Sequence, residues 1–541
     1  MIAVSAGMLV IAAILLFTRL GHYALWDDEA LDALSAKAIR LTGDTTAMIG
    51  QNLIAYRGGI LLKGLRHQGM PPLPGYTAAL GISLGGETAF GARWAFALCG
   101  LLTVALLLRF LMRRAEPRFF LLFCAAMVGN VSLWLFLRQC HYYALTILFT
   151  TAAALLVLGI PDTRRKQCAF AALLCLLLAA NSIIYVAFMG CLAVDYWLWQ
   201  RKTSPLDRTA WLLLLVPQLL VGLVFIFLWN PLATRFGAYL GQNSLANRLT
   251  ILWWNLRDLN RCEFGAGVLL LAAPFVGLAR RNVLLIRGTV AFLIFIVVES
   301  ALSPQTVKFA SVADVRVLAP LIPLAAALGT GVLHELPRHW RLRIAPIAAF
   351  AFFTNFPNGG PMLPSGTRST FASFIGELMH PPDDPYTPVA KWINEHMRTG
   401  ESVWVMPDYM AYPLMFHAPD ALYAWQLKPP AAPQFSHLPP IHFAGLVAPD
   451  YVIAFGPVVR QIVPIISSWD RIRYERVVAI DHFWKDMHRP ELFWRTFTPI
   501  TNFDRASESI YIFQRVEPLV AAAPTQRASA LQISRISGGP R

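Results

Sequence analysis

Charged side chains are scarce in this chain. Asp, Glu, Lys and Arg together supply 14% of 541 residues against 56% hydrophobic ones, which excludes an ordinary soluble protein. Cysteine chemistry is thin as well: Cys99, Cys124, Cys140, Cys168, Cys175, Cys191 and Cys262 all lie in or beside apolar stretches, none falls in the C-terminal third, and no two form a CxxC pair. That pattern argues against a disulfide framework or a cysteine metal site. No internal repeat is evident, which weighs against a transporter built from duplicated halves. Residues 1–20 lack a basic leader and a small-x-small cleavage site, so they are expected to remain as a first helix.

What is present is apolar and periodic. Hydrophobic runs recur near 2–19, 89–108, 119–137, 143–160, 168–180, 183–199, 210–229, 265–279, 282–301, 315–333 and 344–356, and predict a polytopic α-helical membrane protein of about eleven transmembrane helices. Several runs are shorter than the roughly 20 residues of a straight span, and 168–199 reads as a hairpin or an irregular pair. Basic residues gather in alternate loops at 109–118, 164–166, 201–208, 280–287 and 338–343, which places those loops and the N-terminus in the cytoplasm. The long first loop, 21–88, and the C-terminus are then expected outside. The formal charge of +15 is mainly topological, and no nucleic-acid partner is expected.

The membrane part is expected to occupy 1–356, followed by a linker rich in Pro, Gly and Asn at 357–388. A soluble outer α/β domain is expected over 389–518, with a helix at 389–397 and short strands at 402–406, 451–455, 477–480 and 509–513. The composition of 519–541 reads as a disordered tail.

The polar residues of the outer face carry the chemistry. Trp26-Asp27-Asp28-Glu29-Ala30 follows the first apolar run directly, a helix is expected over 30–39 up to the break at Gly43-Asp44, and a second surface helix over 52–65. The chain then reaches His67-Gln68-Gly69-Met70-Pro71-Pro72-Leu73, where consecutive prolines are expected to hold the backbone extended and present His67 and Gln68 toward the outer face. Acids at a helix start favour its positive end, which accounts for Asp27, Asp28, Glu29 and Asp32 without any catalysis. One of them can instead act as a general base, and Asp28 is the residue chosen, with Glu29 orienting it, pairing with an arginine or binding the acceptor.

Arg93 lies inside the second apolar run, Arg138 ends the third, and Arg316 sits in Asp314-Val315-Arg316-Val317-Leu318-Ala319-Pro320. A guanidinium at membrane depth implies a partner, and its planar fork suits phosphate oxygens. Arg93 also admits a simpler role as an internal pair with an acid of the outer loop, and Arg138 and Arg316 a snorkelling one. Lys308 is a further cation for phosphate or pyrophosphate, while His67, His141 and Tyr142 are candidate substrate contacts. No cofactor is assigned. A divalent metal near Glu29, Asp44 and Glu87 stays open, and no ligand spacing supports one. Residues 230–264, with Trp253, Trp254, Arg248 and Arg257, read as an interfacial segment against membrane lipid.

In combination, WDDEA after a first helix, HQGMPPLPGY, Arg93, FLRQCHYYAL and DVRVLAPLIP resemble the GT-C glycosyltransferases of the protein O-mannosyltransferase and aminoarabinose-transferase type, over residues 1–356. The resemblance implies that Asp28 is the catalytic aspartate with Glu29 beside it, and that His67, Pro71, Pro72 and Leu73 stand for a His-Pro-Pro-Leu-like element, here with three residues between the histidine and the prolines. It sets Arg316 at a phosphate-binding position. His141 stands where many relatives carry an arginine, and no tyrosine follows Arg316. The implied reaction moves a sugar, with inversion, from a polyprenyl-phosphate donor to a hydroxyl of a lipid, glycan or protein. The competing class is a multi-span transporter or a flippase of envelope precursors, which predicts polar residues near mid-membrane in several helices instead of one polar face. A noncatalytic sensor or assembly factor is the third.

Overall fold

The computed structural model describes residues 1–68, 71–158, 163–203, 205–229, 244–259, 267–305, 307, 315–336, 370–381, 383–428, 433–468, 472–481 and 509–516. Lys308, Cys262, the eleventh expected span at 344–356 and the expected tail lie outside them. Among the described residues five helices are long and apolar enough to cross a membrane, or six if a bent pair counts as one. Ten of the apolar runs coincide with helices, among them α1 (Ile2–Phe17), Ala89–Arg114, Tyr142–Leu158, Arg208–Leu228 and Val283–Leu302. Their outward residues, such as Ile2, Leu219 and Phe227, are exposed and apolar, the surface that lipid covers.

The run at 119–137 is bent by 67° between Pro117–Gly129 and Val131–Leu137. Asn130 breaks it, because its side chain accepts from the Leu133 amide and so caps the second piece. The run at 168–199 forms two helices, Arg164–Ala180 and Ser182–Asp195, parted by Asn181, which caps the second in the same way. Charges inside these helices are paired: Arg287 donates to both carboxylate oxygens of Asp195, at 2.7 and 2.8 Å.

The first loop departs from expectation after residue 43. Helix α2 (Asp27–Thr42) forms and ends at Gly43 in the left-handed conformation, with φ of 77°. The helix expected over 52–65 is reduced to one short piece, Tyr56–Gly59, between two hairpins, β1 (Met48–Ile49) with β2 (Asn52–Leu53), and β3 (Leu62–Lys63) with β4 (Arg66–His67). Positive φ at Gly58, Gly59 and Gly64 is the reason: left-handed residues stop a right-handed helix from running on past its first turn. Pro71-Pro72 leads straight into a helix over Leu73–Gly85, which packs so closely on Ala89–Arg114 that a Cβ on Gly81 would lie 2.5 Å from the Gly91 carbonyl. That contact fixes the start of the helix that carries Arg93.

The C-terminal part contains one sheet in the order β6-β5-β7-β9-β8, with β5 (Ser402–Met406), β6 (Leu422–Tyr423), β7 (Tyr451–Phe455), β8 (Tyr474–Ile480) and β9 (Ile510–Arg515). β5 runs parallel to β6 and β7, while β9 pairs antiparallel with β7 and β8. Both central strands are buried throughout, matching their unbroken apolar sequences VWVM and YVIAF. Two helices precede the sheet, Thr370–Met379 and Tyr386–His396, so part of the stretch read as linker is ordered.

Candidate active site at the start of α2

The segment Tyr23–Trp26 is buried, Trp26 is extended, and α2 begins immediately after it. An acid at the third helical position closes a capping box: the Trp26 amide donates to Glu29 Oε2 at 3.4 Å. From there three acids of α2 reach three different elements. Asp28 pairs with Arg316 of the 3-10 turn Val315–Leu321, Glu29 with Arg93, and Asp32 with His141. The acidic turn is therefore the meeting point of the polar groups that the sequence singled out.

Glu29 is the most completely enclosed of the three, with no exposed surface. Arg93 donates to its two oxygens at 2.8 and 2.5 Å, and the Cys140 amide adds a third bond at 2.7 Å. The remaining guanidinium N–H groups go to the carbonyls of Leu20, Tyr23 and Ala24, at 3.1, 2.8 and 2.9 Å. All five donors of Arg93 are thus used within the protein. The substrate contact expected of Arg93 gives way to the simpler reading, an internal pair that holds the loop.

Arg138 donates to the carbonyls of Leu15 and Thr18, at 3.3 and 2.7 Å, where the last turn of α1 leaves acceptors unfilled. It lines a narrow cleft with Arg19, Tyr23, Glu29, Arg93 and Gln139. Arg316 differs: its guanidinium binds Asp28 and lies 5.6 Å from the centre of the Trp26 ring. Of Arg138 and Arg316, it is Arg316 that pairs with Asp28.

His141 is buried, with Nδ1 2.6 Å from Asp32 Oδ2 and its ring against Tyr142 and Tyr143. Burial pushes Asp32 above its ordinary range, and His141 opposes the shift. Asp32 was expected to serve only the helix end, and its partner is instead this histidine. His67 and Gln68 are both buried, His67 in β4 and Gln68 donating to the Leu228 carbonyl at 3.3 Å. The His67 ring is held neutral by burial, its pKa lowered to about 4. Among the described residues no group of His, Cys, Asp and Glu has the arrangement of a metal site.

Three neighbours of the turn carried no signal in the sequence. Glu377, on Thr370–Met379, faces the Tyr23 hydroxyl and Arg138, and Asp384 and His417 bond the turn's backbone. Asp384-Pro385 reads locally as a helix start, and its carboxylate does accept from Tyr386 and Thr387, but nothing local points to residue 24. Burial raises Glu377 to about 7, while the Tyr23 hydrogen bond and Arg138 work the other way. A carboxyl whose folded value lies above its ordinary one adds stability below about pH 4.5, and loses it as pH rises through about 7, a change on the order of 3 kcal/mol. The purified protein is expected to melt at lower temperature at pH 8 than at pH 6, and Glu377→Gln to flatten that slope. Equal slopes in the two proteins would remove Glu377 as the cause.

Neither a family model nor a curated protein matches the sequence. Solved structures do. ArnT from Cupriavidus metallidurans in the apo state aligns with a TM-score of 0.58 at 14% identity, over 97% of this chain and 99% of that one. The same protein bound to undecaprenyl phosphate aligns with a TM-score of 0.57 at 14% identity, over 96% and 99%. Over nearly its whole length the chain therefore shares the fold of the ArnT structures.

Proposed function

We propose that this chain is an integral-membrane glycosyltransferase that takes a sugar from a polyprenyl-phosphate donor and passes it to a hydroxyl of a lipid, glycan or protein at the outer face of the cytoplasmic membrane. The observation that carries this reading is the Asp28–Arg316 pair at the start of α2, in a fold shared with a protein crystallised with undecaprenyl phosphate. The pair joins a carboxylate suited to general-base work to a guanidinium suited to phosphate. Its two members have separate uses in one reaction.

The donor phosphate competes with Asp28 for Arg316. When phosphate takes the guanidinium, Asp28 is released and can accept the proton of an acceptor hydroxyl. That oxygen attacks the anomeric carbon from the face opposite the phosphate as the carbon–oxygen bond to phosphate breaks, so the configuration inverts and polyprenyl phosphate leaves with the bonding pair. Arg316 meets the negative charge growing on the leaving group, an interaction strongest where water is excluded. Glu29 and Arg93 hold the turn that presents Asp28.

The sequence's charge pattern supports a cytoplasmic N-terminus, an outer first loop and an outer C-terminal domain at about 389–518. Mass analysis of envelope glycolipids and glycans from cells with and without the protein tests the activity: a sugar is expected to vanish with the protein, and identical profiles under all growth conditions would refute the transferase reading. In purified protein, Arg316→Gln is expected to weaken binding of undecaprenyl phosphate by roughly 10- to 100-fold, the worth of a charge-assisted hydrogen bond. Unchanged binding would move the phosphate site elsewhere.

A further inference from the structure

We infer that Asp384 and His417, from the C-terminal part of the chain, are positioning residues that hold the backbone of the Tyr23–Trp26 turn and thereby aim Asp28. This rests on the reading of Asp28 as the base.

The argument begins with the turn's own backbone. Ala24, Leu25 and Trp26 are 6%, 0% and 1% exposed, they belong to no sheet, and a buried amide or carbonyl without a partner is strongly unfavourable. Arg93 takes the Ala24 carbonyl, the Ala30 amide takes that of Trp26, and the Trp26 amide donates to Glu29. Two amides remain. Ala24 donates to Asp384 Oδ2 at 3.2 Å, and Leu25 donates to His417 Nε2 at 3.3 Å. Both acceptors lie more than 350 residues further along the chain, so the membrane part alone cannot complete the turn that precedes Asp28.

Each acceptor is itself held in place. Asp384 Oδ1 accepts from the Tyr386 and Thr387 amides, both at 2.8 Å, and Oδ2 from the Thr387 hydroxyl at 2.6 Å, which ties it to the start of the helix Tyr386–His396. His417 ends the short helix Ala411–His417, its ring edge-on to Phe416. That helix is fastened to α2 a second time: Lys37 donates to the Phe416 carbonyl at 3.1 Å and its ammonium lies 4.2 Å from the centre of the Phe416 ring. A third tie runs through Asn52, which donates to the carbonyls of Pro419 and Ala421 and accepts from the Tyr423 amide at the edge strand β6. Burial lowers His417 to about 4, so Nε2 stays an acceptor at neutral pH. The C-terminal part thus acts on the turn from above as Arg93 does from within the membrane helix.

Displacement of a reacting group by about 1 Å can cost on the order of 100-fold in rate. Full-length His417→Phe and Asp384→Ala are therefore expected to lower kcat by roughly 10- to 100-fold, with the donor KM within about twofold of the unaltered protein. His417→Gln restores most of the rate, because its amide oxygen can accept from Leu25. In the same variants hydrogen exchange is expected to quicken at residues 24–29 and to stay unchanged in the helix Ala89–Arg114. Should the larger changes prevent folding, Asp384→Asn serves, since its single carbonyl oxygen cannot serve Ala24 and the helix start together, and a partial fall in kcat is expected. Unchanged kcat in the Asp384 and His417 variants beside an inactive Asp28→Asn would overturn the inference and leave the base in place. An active Asp28→Asn would overturn the base instead, and exchange at 24–29 then decides the positioning by itself: protection equal to that of the unaltered protein refutes it.

Discussion

Asp28→Asn is expected to lower the rate of sugar transfer by about 10²- to 10⁴-fold, the range that a positioned general base contributes. Asparagine keeps the shape of the side chain and one oxygen that can accept from Arg316, so α2 and its cap should survive the change. The effect on the donor has the opposite sign. In the unaltered protein phosphate must displace a carboxylate from the guanidinium, whereas in the variant it displaces a neutral amide, so undecaprenyl phosphate is expected to bind more tightly as catalysis is lost. Turnover assays alongside lipid-binding measurements separate the two. Full transfer by the variant would exclude Asp28 as base, and a flippase would keep translocating lipid whichever residue stands at position 28.

The second large effect concerns stability. Arg93→Met is expected to destabilise the protein by about 3–5 kcal/mol, because it leaves the Glu29 carboxylate charged, unpaired and without exposed surface. Glu29→Gln should fall in the same range, since it strands the guanidinium in turn. In the double variant the charge problem disappears, yet recovery is expected to be partial. The carbonyls of Leu20, Tyr23 and Ala24 still lack the donors that Arg93 supplied. Thermal melting of the detergent-purified protein measures all three, and complete recovery in the double variant would show that the carbonyl bonds contribute little. Arg93→Lys tests the geometry separately: an ammonium has three donors where five are used, and retains the charge alone.

How much of this was legible in the sequence depends on the range of each interaction. Membrane helices announce themselves through composition, and β5 and β7 through short apolar runs that coincide with 402–406 and 451–455. The start of α2 was legible to within a turn: a helix was expected from residue 30, and it begins at Asp27, where Glu29 takes the Trp26 amide. At Gly58, Gly59 and Gly64 the apolar pattern of 52–65 outweighed the glycines, and one helical turn between two hairpins was read as a whole helix. Charges at membrane depth correctly implied partners for Arg93 and Arg316, without saying which acid belonged to which. Asp384, His417 and Glu377 could not be found that way. Each has an ordinary local setting, and its bond to the turn crosses most of the chain.

That separation has a consequence for how the protein is made. The amide of Ala24 waits for a carboxylate 360 residues downstream, which at about 5–20 residues per second is synthesised roughly 20–70 seconds later. Throughout that interval the first helix and its acidic loop are already made, while the groups that accept from the Ala24 and Leu25 amides are not. If Asp28 is the base, activity is thereby tied to completion: a ribosome that stalls before His417 leaves behind a fragment whose carboxylate is not yet aimed.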